Sequence, residues 1–351
     1  MIQRLARLLS RKSTLVALAA ASFLAADLVL IFVIGPIDFA FDFTCCYQQA
    51  GERLITDPST LYQWSDTYTF RYTPLGALLF VPLVPLSAGA AAWAWLVIKL
   101  GVLGVTAVWY SRPWEGMDRR LVLLAVVAFP PIVHDLVIGN VSTITVLVLL
   151  AVARWPDARG GVALGLLLAL MPKPHLIPVF VYLAIRQPRA FLASVATIGV
   201  AVLAGVALFG IDPWLEFAGT LREPLERTFT ANIGFSGLLG PIGVVVGVAV
   251  AGVIFVVGAR TAGARGYGLS IVAGIVAGPY TFIHYLAGSI VAAEPVLRTR
   301  PRRLAPFPSL LLVTPLVPIW LVGLAAVIRG APEPSHADEA VGSQSLPGAG
   351  R

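Results

Sequence analysis

The stretch AAAWAWLVIKLGVLGVTAVWYSR, residues 90–112, decides the fold. From Ala90 to Tyr110 it carries one charge, Lys99, and the next is Arg112. An α-helix needs roughly 20 apolar residues to cross the hydrocarbon core of a bilayer, so this run reads as a membrane span. The whole chain shares its character. Of 351 residues 58% are hydrophobic and only 12% charged, and the mean hydropathy is +0.86. A soluble domain carries about 25% charge. Further apolar runs fall near 14–34, 74–86, 121–138, 141–153, 160–172, 174–185, 190–210, 235–258, 267–278, 279–293 and 307–328. The expected fold is therefore all-α: a polytopic transmembrane helical protein with about nine to twelve spans. Residues 1–328 are expected to form one membrane domain. Residues 329–351, rich in Pro, Gly, Ser and Ala, read as a disordered tail.

Charge sets the orientation. Arg4, Arg7, Arg11 and Lys12 precede the first run, which continues past an Ala-rich segment near Ala19 and reads as an uncleaved span. With the N-terminus inside, the inner segments 1–13, 111–120, 154–159, 186–189, 259–266 and 294–306 hold 17 of the 25 lysines and arginines, as the positive-inside rule requires. The long loops 35–73 and 211–234 then lie outside. This parity holds if Thr73 to Leu86 is a half-helix that dips in and returns. Several runs are short and broken by Pro130–Pro131, Pro172–Lys173–Pro174 or Gly278–Pro279. Broken helices at membrane depth line a cavity or are buried in protein, so an outer-leaflet cavity is expected. No inverted repeat of the transporter kind is visible.

The net charge of +7 does not point to nucleic acid, because the arginines stand in small clusters between apolar runs with no basic face. The two cysteines, Cys45 and Cys46, are adjacent and form no metal or disulfide framework. They read either as two small apolar residues on a helix or as a vicinal disulfide.

By this topology His134, His175 and His284 all fall at outer ends of spans. Asp135, Asn140 and Lys173 are near them, with Asp38, Asp42, Arg71 and Asn232 on the outer loops. Ionisable groups in membrane segments are costly and face a cavity or a partner. Each residue also has a plain structural reading. Asp38 and Asp42, four apart among aromatics, suit a helix lying on the membrane surface with its acids in water. His284 suits an interfacial aromatic belt, Lys173 a snorkelling cation, and Gly139–Asn140 a turn. Asp27 and Lys99, both mid-span, are expected to pair. No HExxH, P-loop, GxSxG or EF-hand pattern occurs.

Five segments in order carry a resemblance. DFTCCYQQAGERLITDPSTLYQWSDTYTFRYTPLGALLFVP, starting at Asp42, sets Tyr47, Ala50, Leu61–Tyr62, Tyr72 and Pro74 at fixed places. GNVSTITVLVLLAVA follows, with Asn140 where a Gln is commoner. GGVALGLLLALMPKPHLIPVFVYLAIRQPR carries Lys173 and Pro178. NIGFSG carries Asn232, and GPYTFIHYLAG carries Pro279 and His284, with Phe282 in place of Trp and Gly278 in place of Ser. Together they resemble glycosyltransferase family 87. The resemblance covers about Thr14 to Ala293. It implies a GT-C fold with a first outer loop of amphipathic helices. The implied activity is mannosyl or arabinofuranosyl transfer from a polyprenyl-phosphate sugar to a glycolipid or cell-envelope glycan, in the plasma membrane of actinobacteria. The family's catalytic acid maps to Asp42.

On that resemblance Asp42 is the expected general base. Lys173, His284 and Arg71, in that order, are the expected partners of the donor phosphate. Asp38, Tyr47, Tyr72, His134, Asp135, Asn140, His175 and Asn232 are further cavity candidates, Asp135 as a possible second acid. The half-helix at 74–86 would shape a groove for the polyprenyl chain. A monophosphate donor offers no pyrophosphate to chelate, so no metal or other cofactor is expected. The expected partners are the lipid-linked donor, the acceptor and membrane lipid, with no nucleic acid. A different class stays open: a non-catalytic transporter or flippase of a lipid-linked sugar, which would depend on Asp27 or Lys99.

Overall fold

The residues of 88–110 show how an apolar run becomes a buried stripe. In this helix Ala92, Trp95, Lys99, Leu103, Thr106 and Tyr110 are buried, at the three-to-four spacing of one helical face. Trp93, Val97, Leu100 and Val105 on the other sides stay exposed, as side chains facing lipid would. The computed structural model describes residues 39–63, 70–221, 232–299 and 317–331. Asp27, Asp38 and the tail beyond Ala331 lie outside these residues.

The longer helices are α1 (Gln48–Thr56), α2 (Ala88–Tyr110), α3 (Gly116–Val127), α4 (Pro130–Ile138), α5 (Ser142–Arg154), α6 (Ala158–Leu170), α7 (Ile177–Arg186), α8 (Pro188–Phe209), α9 (Asp212–Thr220), α10 (Pro241–Arg260), α11 (Gly263–Ala277) and α12 (Val317–Arg329). No strand occurs among the described residues. The chain is an all-α polytopic membrane protein. Among the described residues four helical stretches are long and apolar enough to cross a bilayer: Ala88–Tyr110, Asp118–Ile138, Pro188–Phe209 and Pro241–Arg260. The other apolar helices have 10–17 residues, so fewer full-length spans occur among the described residues than the hydropathy runs predict.

Proline and glycine explain the shortfall. Pro74–Leu83, ten residues by its bounds, is about 15 Å long at 1.5 Å per residue and is too short to cross. Its start is pinned: Thr73 Oγ1 donates to Ala169 O at 2.6 Å, at the end of α6. The expected span at 279–293 is instead a 3₁₀ helix, Ile283–Gly288, followed by one α-turn, Ser289–Ala292. Both are largely buried.

Small residues set the helix spacing. Gly161 and Gly165 on α6 lie against the backbone of Ala190 and Ser194 on α8, and Ser194 Oγ donates to Gly161 O at 2.8 Å. On α10 the buried face is Gly243, Gly247, Ala251, Ile254 and Gly258, and it packs on α11. Such seams replace the hydrophobic driving force that is missing inside lipid. Helix α11 is buried from Gly266 through Val276 and forms the centre of the bundle.

Candidate active site

Asp42 reaches its place through three local decisions. Helix α4 ends at Gly139, whose φ of +76° is left-handed, a conformation glycine adopts without steric cost. A Cβ there would come within 2.9 Å of Phe43 Cβ, so glycine also lets the segment around Phe43 lie against the helix end. Ala40 N then donates to Val137 O at 2.7 Å, and Trp95 Nε1 donates to Gly139 O at 2.8 Å. Gly139→Ala is expected to destabilise the protein by about 1–3 kcal/mol through overpacking and backbone strain, read as a lower midpoint of thermal unfolding in detergent.

The segment after Asp42 is a π-helix, Phe43–Tyr47, not the regular surface helix expected from the spacing of Asp38 and Asp42. Its wider turn puts Asp42 and Tyr47, five apart, on one side. Single π turns recur at functional sites. Cys45 and Cys46 within it are joined as a vicinal disulfide. Helix α1 continues the loop as an amphipathic helix, burying Ala50, Gly51 and Leu54.

Asn140 gathers the side chains. Its Nδ2 donates to Asp42 Oδ2 at 2.6 Å and to Tyr47 OH at 3.1 Å. Its Oδ1 accepts Val141 N at 2.7 Å, which fixes the amide with its nitrogen toward the carboxylate. Tyr47 OH and Tyr72 OH are 3.2 Å apart. Asp42 is half-buried. Burial pushes its pKa up to about 6, with Asp135 adding to the rise, against the Asn140 bond and the charges of Lys173 and Lys99.

The cation comes from the α6–α7 break. Pro172 and Pro174 hold Lys173 extended (φ −118°, ψ 115°), and its side chain is buried. The ammonium lies 5.7 Å from the Tyr72 ring centre and 5.2 Å from that of Tyr285, with no hydrogen bond or ion pair among the described residues. Cation–π contact holds a charge without occupying its N–H donors. The histidines follow. His175 lies 4.7 Å from Tyr285. His284 stacks between Phe282 at 5.5 Å and His134 at 5.9 Å. Nδ1 of His134, His175 and His284 is buried and has no hydrogen-bond partner among the described residues.

Other expected residues take different roles. Lys99 pairs with Asp135, 2.8 Å away and equally inaccessible, and also donates to the Asp135 carbonyl. The Asp135 carboxylate further accepts Ser142 N at 2.8 Å, Thr143 N at 3.1 Å and the Thr143 hydroxyl. Asp135 thus caps α5 and is the counter-ion of Lys99. Arg71 donates to Thr220 O at 2.8 Å, tying the loop to α9. Asn232 is a clasp: its Oδ1 accepts Gly234 N and Thr281 N, each at 3.0 Å, and its Nδ2 donates to Ser236 Oγ at 2.8 Å. Tyr285, which the sequence did not single out, is the missed member. Only its place in the HYLAG turn beside His284 could have marked it.

The described geometry has a fixed carboxylate, an uncommitted cation and three histidines in one buried site. A model of glycosyltransferase family 87 matches residues 70–287, more than half of the chain. The chain belongs to glycosyltransferase family 87. The match includes Tyr72, Asn140, Lys173 and His284 and begins beyond Asp42. A relative from Mycobacterium tuberculosis, a polyprenol-phosphate-mannose-dependent alpha-(1-2)-phosphatidylinositol mannoside mannosyltransferase, is 32% identical over 173 residues. That similarity covers 44% of this chain and 40% of the relative. No solved structure matches the chain.

Proposed function

We propose that this family 87 chain is a membrane glycosyltransferase. It moves a sugar, mannose first and arabinofuranose second, from a polyprenyl-phosphate donor to a glycolipid or cell-envelope glycan at the outer face of the plasma membrane. The observation that carries the reading is the Asn140–Asp42 bond at 2.6 Å beside an ammonium held on the aromatic faces of Tyr72 and Tyr285. Asp42 takes the proton of an acceptor hydroxyl while that oxygen attacks the anomeric carbon from the side opposite the leaving group. The bond from that carbon to the phosphate oxygen breaks, inverting the centre, and the lipid phosphate leaves as a dianion. Lys173, with His284, offsets the charge that develops there, as positioned cations do in a site poor in water. Arg71, committed to Thr220 O, orders the loop and stands behind them. The single phosphate needs no metal to bridge two phosphates, so transfer is metal-independent. The exposed leucines Leu78, Leu79 and Leu86 of the short segment after Pro74 offer an apolar edge for the polyprenyl chain. The name of the mycobacterial relative supports mannose as the sugar and a glycolipid as acceptor.

A flippase reading rests on Asp27 or Lys99 as a charge that engages the cargo. The closed Lys99–Asp135 pair weighs against it. Membranes containing the overexpressed protein are expected to move radiolabel from polyprenyl-phosphomannose into lipid, and less from polyprenyl-phosphoarabinose. Failure with both donors would overturn the reading. A base must be deprotonated to act, so kcat/KM is expected to rise with pH through about 6, where Asp42 loses its proton. Removing the Asn140 bond, which favours the carboxylate, shifts that limb to higher pH in Asn140→Ala. A limb that stays in place in the variant would contradict Asp42 as its source.

A further inference from the structure

A second charged cluster lies at the far end of α5. Arg154 ends that helix, and its Nη1 is 2.7 Å from Glu294 Oε1. Arg298 meets the same oxygen, through Nη2 at 2.7 Å and Nε at 2.9 Å. Among the described residues two guanidinium groups therefore share one carboxylate, and one positive charge is left over. Nη2 of Arg154 is buried and has no hydrogen-bond partner among the described residues, a costly state for a charged donor. Aromatic rings adjoin the cluster in contact and in sequence. Trp114 lies under Arg298, 5.9 Å from its guanidinium carbon, and stacks on Tyr110 at 5.6 Å. Trp155 packs on Trp109 at 4.8 Å. Along the 13 residues of α5, at 1.5 Å each, Arg154 is about 18 Å from the Ser142 end beside Asp42.

We propose that this cluster binds the phosphate of an anionic membrane phospholipid, at the end of the bundle opposite Asp42. The charges match: a phosphodiester carries one negative charge, and the cluster has one in surplus. The unfilled Nη2 supplies a donor for one charge-assisted hydrogen bond to a phosphate oxygen, while Nη1 stays on Glu294. The tryptophans indicate a lipid source over a soluble one, because indole rings concentrate at the membrane–water interface, where basic pockets between helices take lipid headgroups.

The test uses the full chain in nanodiscs of phosphatidylcholine, with or without phosphatidylglycerol. Wild-type protein is expected to keep phosphatidylglycerol in preference to phosphatidylcholine through detergent washing, read by native mass spectrometry, and to unfold at a higher temperature when it is present. Arg154→Lys keeps the charge on Glu294 but lacks the unfilled Nη2 donor. Its affinity for phosphatidylglycerol is expected to fall about tenfold, the worth of one charge-assisted hydrogen bond, with unfolding in pure phosphatidylcholine little changed. No preferential retention by wild type would overturn the proposal, whether or not the variant folds. Equal retention by wild type and variant would do the same. An equal stabilisation by inorganic phosphate in phosphatidylcholine discs would assign the cluster to a soluble anion instead.

Discussion

Asp42→Asn is expected to lower the rate of sugar transfer by about 10²–10⁴-fold, the usual contribution of a positioned general base. The substitution keeps shape and removes the function. An asparagine at 42 still offers a carbonyl oxygen to Asn140 Nδ2, which now reaches the carboxylate at 2.6 Å, so the π-helical turn and its docking on α4 survive. What is lost is the ability to take a proton. The variant should therefore express and unfold like wild type, retain donor binding, and lose kcat. Transfer assayed above pH 7, where the wild-type carboxyl is ionised, gives the cleanest contrast. Full transfer by a normally expressed Asp42→Asn protein would remove Asp42 from the chemistry and return attention to Asp38.

How much of this was legible in the residues differs between fold and site. Composition and apolar runs were enough for an all-α membrane protein, because hydrocarbon permits few other structures. They were a poor guide to the number of full crossings. Hydropathy does not see that Gly278–Pro279 leads into 3₁₀ structure. Apolar residues buried in protein read like apolar residues facing lipid, and the buried run of α11 is such a case.

The candidate site was legible as a list and only partly as an arrangement. Asp42, Tyr47, Tyr72, Asn140, Lys173 and the three histidines lie on separate segments of the chain. Their couplings were not visible, since an ion pair 36 residues apart, Lys99 with Asp135, leaves no local pattern. Asp135 and Asn232 looked like cavity groups because a polar residue in an apolar context signals either function or internal bonding. Only the partners, a helix cap for one and a loop clasp for the other, tell these apart. The π-helix was equally hidden, because DFTCCY fits an ordinary helix by composition.

The second large effect tests that hidden coupling. Lys99→Met is expected to destabilise the protein by about 3–5 kcal/mol, the cost of leaving a buried charge without its partner. Asp135 has no access to solvent. The backbone N–H groups of Ser142 and Thr143 still reach its carboxylate, which places the loss toward the lower end of that range. The damage then spreads to the site. Asn140 N donates to the Asp135 carbonyl at 3.2 Å, and Asp135 fixes Ser142 two residues later, so Asp135 holds both flanks of the turn that aims Asn140 at Asp42. Loss of Lys99 should reduce kcat more than it raises KM and should move the acidic limb of the pH profile, because Asn140 no longer holds the carboxylate. Lys99→Met combined with Asp135→Asn removes both charges, and replacing both partners of a buried pair is often nearly neutral. The double variant should recover most of the thermal stability while its kcat stays between those of Lys99→Met and wild type. A double variant no more stable than Lys99→Met would show that the pair is not what holds this region together. A single variant with wild-type pH behaviour would separate the turn at 139–143 from the chemistry at Asp42.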